Sequence, residues 1–206
     1  YWTFITSLIV SIVFYKFGGS EKKTNIYNKI ITVFLGYILL PLILSIPFYF
    51  SIYDLTFLNS FFESISGFTS TGFTIFENIK NIDQSLILWR SSTQWIGGLY
   101  FLFSIIFLID IYDESLKKTL TNFISFNSSE IFKQAVKIFL LYSGLTLLVF
   151  LILNIFSIRS FDALNLAFTL ISSGGFLPVN DLSSIFKENI QIIILSLLML
   201  LSFFSI

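Results

Sequence analysis

The chain has 206 residues, 55% of them hydrophobic and 12% charged, with a formal net charge of zero and a mean hydropathy of +0.88. That balance excludes a water-soluble domain and a basic nucleic-acid-binding surface, and it places the chain among polytopic membrane proteins. Cys and His are both absent, which removes disulfides, thiol and imidazole catalysis and the usual transition-metal ligands together.

Residues 1–15 are apolar but shorter than the roughly 20 residues that a spanning helix needs, and they read as the tail of a span. A polar stretch, 16–29, follows. Residues 30–52 are long enough to cross and carry Pro41 and Pro47, which membrane helices tolerate. Residues 59–69 form a short helix candidate that runs into SISGFTSTGFT at 64–74, and 73–84 return to the surface. The next span is 86–109, and 110–118 make a charged turn. Residues 131–156 are apolar again, with Lys133, Gln134 and Lys137 at their start. A second short helix, 162–171, has Asp162 as its expected N-cap, and it ends in Ser172, Ser173, Gly174, Gly175 and Phe176. A last span begins at 190. With Met199 as the one methionine and an apolar run ending at Ile206, the sequence is expected to be a fragment of a longer chain.

The stretch 64–74 cannot continue as a lipid-facing helix. Its hydroxyl and β-branched residues compete for backbone bonds, and Gly72 opens torsions closed to other residues. Non-helical backbone at membrane depth is tolerated only where protein buries it or where it lines a watery cavity. A Thr, Ser and Gly loop there has the form of a cation filter, in which backbone carbonyls replace the ion's water shell. A Ser/Thr-rich outer turn is the plainer alternative.

A repeat favours the filter. The order span, half-helix, Gly-broken loop, span occurs twice, and Gly72 falls on Gly175 at an offset of 103 residues. The same offset lays Phe73 on Phe176, Asn59 on Asp162, Ser66 on Thr169, Thr69 on Ser172 and Ser70 on Ser173. Repeated units of this kind encode a pathway surrounded by similar elements. The expected fold is therefore all-α and polytopic, with residues 1–29 as an end of a preceding span and a cytoplasmic loop. Residues 30–118 make a first helix, pore half-helix, filter loop and helix repeat, and 119–206 make a second, truncated one.

Sidedness follows from the basic residues. Lys16, Lys22, Lys23, Lys29, Lys117, Lys118, Lys133 and Lys137 lie opposite the filter loops, whereas Lys80, Arg90, Arg159 and Lys187 share their side. The positive-inside rule then puts the loops outside the cytoplasm.

Three stretches resemble the Trk/Ktr/HKT superfamily of potassium transporters, and most of all its Trk-type membrane subunit. They are FFESISGFTSTGFT at 61–74, LWRSSTQWIGGL at 88–99 and FDALNLAFTLISSGGF at 161–176. The resemblance implies four such repeats, pseudo-fourfold about one pore, of which this sequence holds two. It implies potassium uptake across the plasma membrane (the bacterial cell inner membrane), with K+ as substrate, no bound cofactor and no catalysis. It also implies a homodimer in the lipid bilayer, a cytosolic nucleotide-binding regulatory subunit and no nucleic-acid partner. The filter residues it assigns are Thr69, Ser70, Thr71, Gly72 and Phe73, with Ser172, Ser173, Gly174, Gly175 and Phe176. Ser70 departs from the common Thr-Thr-Thr-Gly pattern, while glycine at both 72 and 175 favours potassium over sodium.

Four further residues stand out. Glu63 and Arg90 are ionisable at membrane depth, where charges pair or mark function; an interfacial, snorkelling Arg90 is the alternative. Gly97 and Gly98 suit close helix approach, and Gly174–Gly175 suit a helix C-cap. Rival readings are a secondary transporter of another monovalent cation, which needs a buried ionisable or amide group, and a non-transporting assembly subunit. An intramembrane hydrolase would leave a Ser nucleophile without a base.

Overall fold

The computed structural model describes residues 26–51, 53–108 and 131–204, with positions 5, 8, 9, 11, 12 and 16 of the leading segment. Lys22, Lys23, Lys117, Lys118 and the expected acidic turn of Asp110, Asp113 and Glu114 lie outside the described residues. Seven α-helices are described: α1 (Ile26–Leu44), α2 (Ile46–Tyr49), α3 (Phe57–Phe68), α4 (Gln84–Leu108), α5 (Ile131–Ile155), α6 (Ser160–Ile171) and α7 (Asn189–Phe204). Among the described residues there is no strand.

Three helical stretches are long and apolar enough to span a bilayer: Tyr27–Tyr49, Gln84–Leu108 and Lys133–Ile155. The first runs through α1 and α2, which meet at Ser45. Pro41 and Pro47 sit in this stretch without ending it, because Ser45 N bonds Pro41 O at 2.8 Å and Pro47 takes a first-turn position of α2, where no helical N–H is needed. α1 begins at Ile26, four residues before the expected start at Ile30. The polar Asn28 and Lys29 continue it because a helix end at the membrane surface accepts polar side chains.

The repeat is explicit in three dimensions. α3 and α6 each have 12 residues and start and stop at the 103-residue offset. Thr56 caps α3, accepting from Asn59 N at 3.3 Å. Beyond each half-helix lies a 3-10 turn, Ile79–Asn81 and Leu182–Ser184, capped by the side chains of Asn78 and Asp181. Hydrogen bonds from the Ser183 hydroxyl and amide hold the exposed Asp181 carboxyl below its usual pKa. One expectation fails here. Asp162 is not the N-cap of α6; that position is Arg159, with no side-chain cap. Asp162 sits in the first turn and pairs with the Arg159 guanidinium through two 3.0 Å bonds. A carboxylate there still complements the helix N-terminus.

The interior is polar where the outside is not. Glu63, Ser64, Arg90, Ser91, Thr93, Gln94, Asn165 and Thr169 are buried, while Phe34, Leu140, Leu147, Leu151 and Leu200 point outward. In lipid, apolar side chains have little reason to prefer the inside, so packing and interhelical hydrogen bonds hold the helices together. Trp89 Nε1 bonds Leu44 O at 3.0 Å and Tyr100 OH bonds Val33 O at 3.0 Å, joining α4 to α1. Trp95 Nε1 bonds Thr146 Oγ1 at 2.9 Å and Tyr142 OH bonds Trp95 O at 3.2 Å, joining α4 to α5.

α4 is the central element and contacts both half-helices. Gly97 permits this: a Cβ there would run into the backbone carbonyl of Phe68, at the end of α3. Gly98 lies against the Tyr142 hydroxyl and Ser172 in the same way. Gly97→Ala should therefore destabilise the full chain by about 1–3 kcal/mol, the usual cost of overpacking. A lowered thermal midpoint of the detergent-solubilised protein would show it. Gly144→Ala, where no atom lies within 4 Å of the added carbon, should be neutral or stabilising.

Candidate ion-binding site

Each half-helix ends the same way. Thr69 N bonds Ile65 O at 2.9 Å and Ser70 N bonds Gly67 O at 2.9 Å; Ser172 N bonds Phe168 O at 3.2 Å and Ser173 N bonds Leu170 O at 3.1 Å. The residues that turn the chain are Ser70 and Ser173, at φ of 54° and 52°. The left-handed cap of α6 is thus Ser173 rather than the Gly174–Gly175 pair that the sequence suggested. A serine stands this torsion here because the next amide folds back onto the helix, Gly174 N to Thr169 O at 2.8 Å. In the first loop both Thr71 N and Gly72 N reach Ser66 O, at 3.0 and 3.3 Å.

A hydroxyl then ties each loop to its own half-helix. Ser66 Oγ donates to Phe73 O at 2.6 Å, and Thr169 Oγ1 donates to Phe176 O at 2.6 Å. These two oxygens are spent, so Phe73 and Phe176 close their loops from behind. Among the described residues no hydrogen bond is made to the carbonyls of Thr69, Ser70, Thr71 and Gly72, or of Ser172, Ser173, Gly174 and Gly175. Every one of these amides except that of Gly175 is bound, and the oxygens are left over.

The two loops meet at their glycines. Gly72 has φ of +79°, and a Cβ built on it would lie 2.7 Å from Gly175 Cα. Both half-helices run at their carbonyl ends into these loops, and a helix C-terminus favours positive charge. A cavity of about 540 Å³ opens beneath, with Thr69, Ser70, Ser172 and Ser173 at its head and apolar walls that include Ile105 and Leu145.

Behind the loops stands one ion pair. Arg90 Nε donates to Glu63 Oε1 at 2.8 Å, with both side chains at 1% exposure or less, so Arg90 does not snorkel to the interface. Glu63 also accepts from Thr74 Oγ1 at 2.8 Å and from Ile75 N at 3.0 Å, just past the first loop. Arg90 Nη2 donates to Thr74 Oγ1 at 3.0 Å. Its guanidinium carbon lies 4.3 Å from the Phe176 ring centroid, so the same side chain braces both loops.

Gln94, one turn further along α4, is a residue that chemistry-by-motif reasoning passes over. Its Oε1 accepts from Phe176 N at 3.3 Å and from Thr169 Oγ1 at 3.1 Å. The available signal was its i+4 spacing from Arg90 on an otherwise apolar span. Asn165, also missed, accepts from Ser91 Oγ at 2.7 Å and donates to Phe161 O at 2.7 Å. The buried amides that a secondary transporter would need are thus present but committed to structure. The loops differ in cover: Phe176 is 1% exposed and Phe73 69%, because α4 packs over the second loop and no described element packs over the first.

No protein-family model matches the chain. An uncharacterized cation transporter of Methanocaldococcus jannaschii is 26% identical over 96% of this chain and 43% of its own length. The Trk system potassium uptake protein TrkH of Salmonella typhimurium is 26% identical over 84% of this chain and 37% of its own. TrkG of Escherichia coli, another Trk system potassium uptake protein, is 30% identical over 44% of the chain and 21% of its own length. The chain is thus similar to Trk system potassium uptake proteins over part of their length. The crystal structure of the potassium transporter TrkH from Vibrio parahaemolyticus shares its fold, with a TM-score of 0.69 at 22% identity over 88% of this chain and 36% of that one. The chain is a multi-pass protein of the cell membrane, with three helices long and apolar enough to span it, and it spans less than half the length of these proteins.

Removing one partner of a buried pair leaves an uncompensated charge at a cost of about 3–5 kcal/mol. Glu63→Gln and Arg90→Gln should each lower the amount and thermal stability of folded protein. The double variant should lose less than the two losses together. Strict additivity in that cycle would mean the two side chains act separately.

Proposed function

We propose that the chain contributes two filter strands to a pathway that carries potassium ions into the cell. The observation that carries this reading is the set of loop carbonyls, Thr69 to Gly72 and Ser172 to Gly175, left without hydrogen-bond partners among the described residues while all of their amides but that of Gly175 are bound. In a bilayer such oxygens are costly unless something cationic or water takes them. A dehydrated monovalent cation is the ligand that suits neutral carbonyls, as in other carbonyl-lined filters. The apolar cavity beneath, about 540 Å³, would serve as the inner vestibule, where an ion stays hydrated and meets few binding groups.

The names of the relatives support potassium, and glycine at 72 and 175 agrees with it. Transport rather than catalysis is the reading, since the relatives are transporters by name. The remaining filter strands would come from elsewhere in the whole protein, since the chain spans less than half the length of these relatives. Pairing with a second copy, and with a cytosolic nucleotide-binding subunit, belongs to the same proposal and rests on the resemblance alone.

Gly72→Ser tests the filter directly. A serine Cβ would overlap Gly175 and sit at a left-handed φ, a strain of about 1–2 kcal/mol before any clash. Expressed as the full chain in cells lacking other potassium uptake, the variant should lose about tenfold of the preference for potassium over sodium, which corresponds to about 1.4 kcal/mol. Equal uptake of the two ions by the wild type, unchanged by Gly72→Ser, would remove the filter assignment. Sidedness has its own check. A label at residues 76–80 should be reached from outside the cell and one at 20–25 only from inside, and the reverse pattern would place the loops on the cytoplasmic face.

A further inference from the structure

The two loops are not equivalent at one position. Thr71 in the first corresponds by the 103-residue offset to Gly174 in the second. Thr71 keeps its side chain and bonds the Thr69 hydroxyl at 2.7 Å. Gly174 has no room for one, because a Cβ there would fall on the Gln94 amide, meeting its carbon, oxygen and nitrogen at once. Gly174 is not among the described glycines with positive φ, so backbone torsion is not the reason for glycine. The neighbour is.

Gln94 is fully buried, and Phe176 N–H fixes the sense of its amide, since only the oxygen can accept. That oxygen holds Phe176 N and lies 3.1 Å from the Thr169 hydroxyl, whose proton is shared with the shorter bond to Phe176 O, while Nε2 has no hydrogen-bond partner among the described residues. The amide therefore packs against the loop from Gly174 to Phe176 and holds it at the Phe176 amide. No equivalent exists one repeat on. The positions on α7 that match Arg90 and Gln94 are Ile193 and Leu197, at 54% and 59% exposure.

We propose that Gln94 is a positioning residue that sets the ion selectivity of the second filter loop from a helix of the preceding repeat. It touches no ion. It fixes where the Gly174 and Gly175 carbonyls point by holding the Phe176 amide next to them. A cage of neutral oxygens discriminates between ions of different radius only as far as its geometry is held, so a loosened strand loses preference before it loses throughput. The inference rests on the filter reading given above and deepens it.

The test measures initial uptake of potassium and of sodium by the full chain in uptake-deficient cells, alongside the amount of folded protein in the membrane. Gln94→Leu keeps the bulk and removes the acceptor; it should lower the potassium-over-sodium ratio about tenfold at near-normal protein levels. Gln94→Glu keeps an accepting oxygen at the same reach and should retain most of the ratio. If the Leu variant does not accumulate, Gln94→Met, unbranched and closer in shape, takes its place with the same expectation. An unchanged ratio in the Leu or Met variant, or an equal loss in Gln94→Glu, overturns the role of Gln94 while leaving the filter standing. A merely structural residue would lower the amount of protein and leave the ratio alone, which overturns it as well. A wild type that takes both ions equally would instead remove the filter reading, and this inference with it.

Discussion

A polar backbone group that leaves the helices at membrane depth has to find a protein partner or line a watery cavity, and this constraint organises the molecule. Two short helices stop midway and hand over to extended loops. Their amides are absorbed by the carbonyls of the helix just finished, through Ser66 O in the first loop and Thr169 O in the second. Their returning ends are held by the hydroxyls of Ser66 and Thr169 and by the Glu63 carboxylate, which takes Ile75 N. Once those obligations are met, the oxygens between them are the groups with nothing to do. It is these oxygens that the proposed cation site rests on.

The same constraint explains why so much polarity is buried. Glu63 is needed to take Ile75 N and the Thr74 hydroxyl, and an isolated carboxylate in this setting would cost several kcal/mol. Arg90 supplies the counter-charge and spreads its remaining donors and its ring-facing surface over the residues that leave both loops. The chain of dependence runs from backbone amide to carboxylate to guanidinium to a second loop. Small residues let it close: Gly67 faces the Thr93 hydroxyl and Gly97 faces the Phe68 carbonyl, so α3 and α4 meet backbone to backbone.

That arrangement gives α4 a double duty. It follows the first half-helix in sequence, yet its buried face of Arg90 and Gln94 serves the second loop as much as the first. A ring of such repeats, each helix supporting the next repeat's loop, would be closed by mutual support rather than by any single contact. The polar face of α4 and the apolar one of α7 show that the two repeats do not support their neighbours equally.

Much of this was legible in the sequence. Composition and hydropathy determined a polytopic helical membrane chain, because the bilayer permits little else for so apolar a polymer. The 103-residue offset determined that α3 and α6 are the same element used twice, since the alternation of glycine, hydroxyl and apolar positions is local and survives low identity. Glycine spacing on α4 announced a close approach without saying to what. Tertiary structure alone decided that Glu63 and Arg90 meet, although 27 residues separate them, because pairing depends on how a half-helix tilts against the next span. It alone decided that Arg159 rather than Asp162 caps α6, a matter of where the preceding loop lets the first turn begin. It alone showed that serines 70 and 173 carry the left-handed turns that end the half-helices, since the amides that hold them there return to the helix from one residue further on. And it alone set Gln94 against Gly174, because a sequence records periodicity along one helix, whereas the fit of a side chain to a loop 80 residues away exists only once the helices have packed.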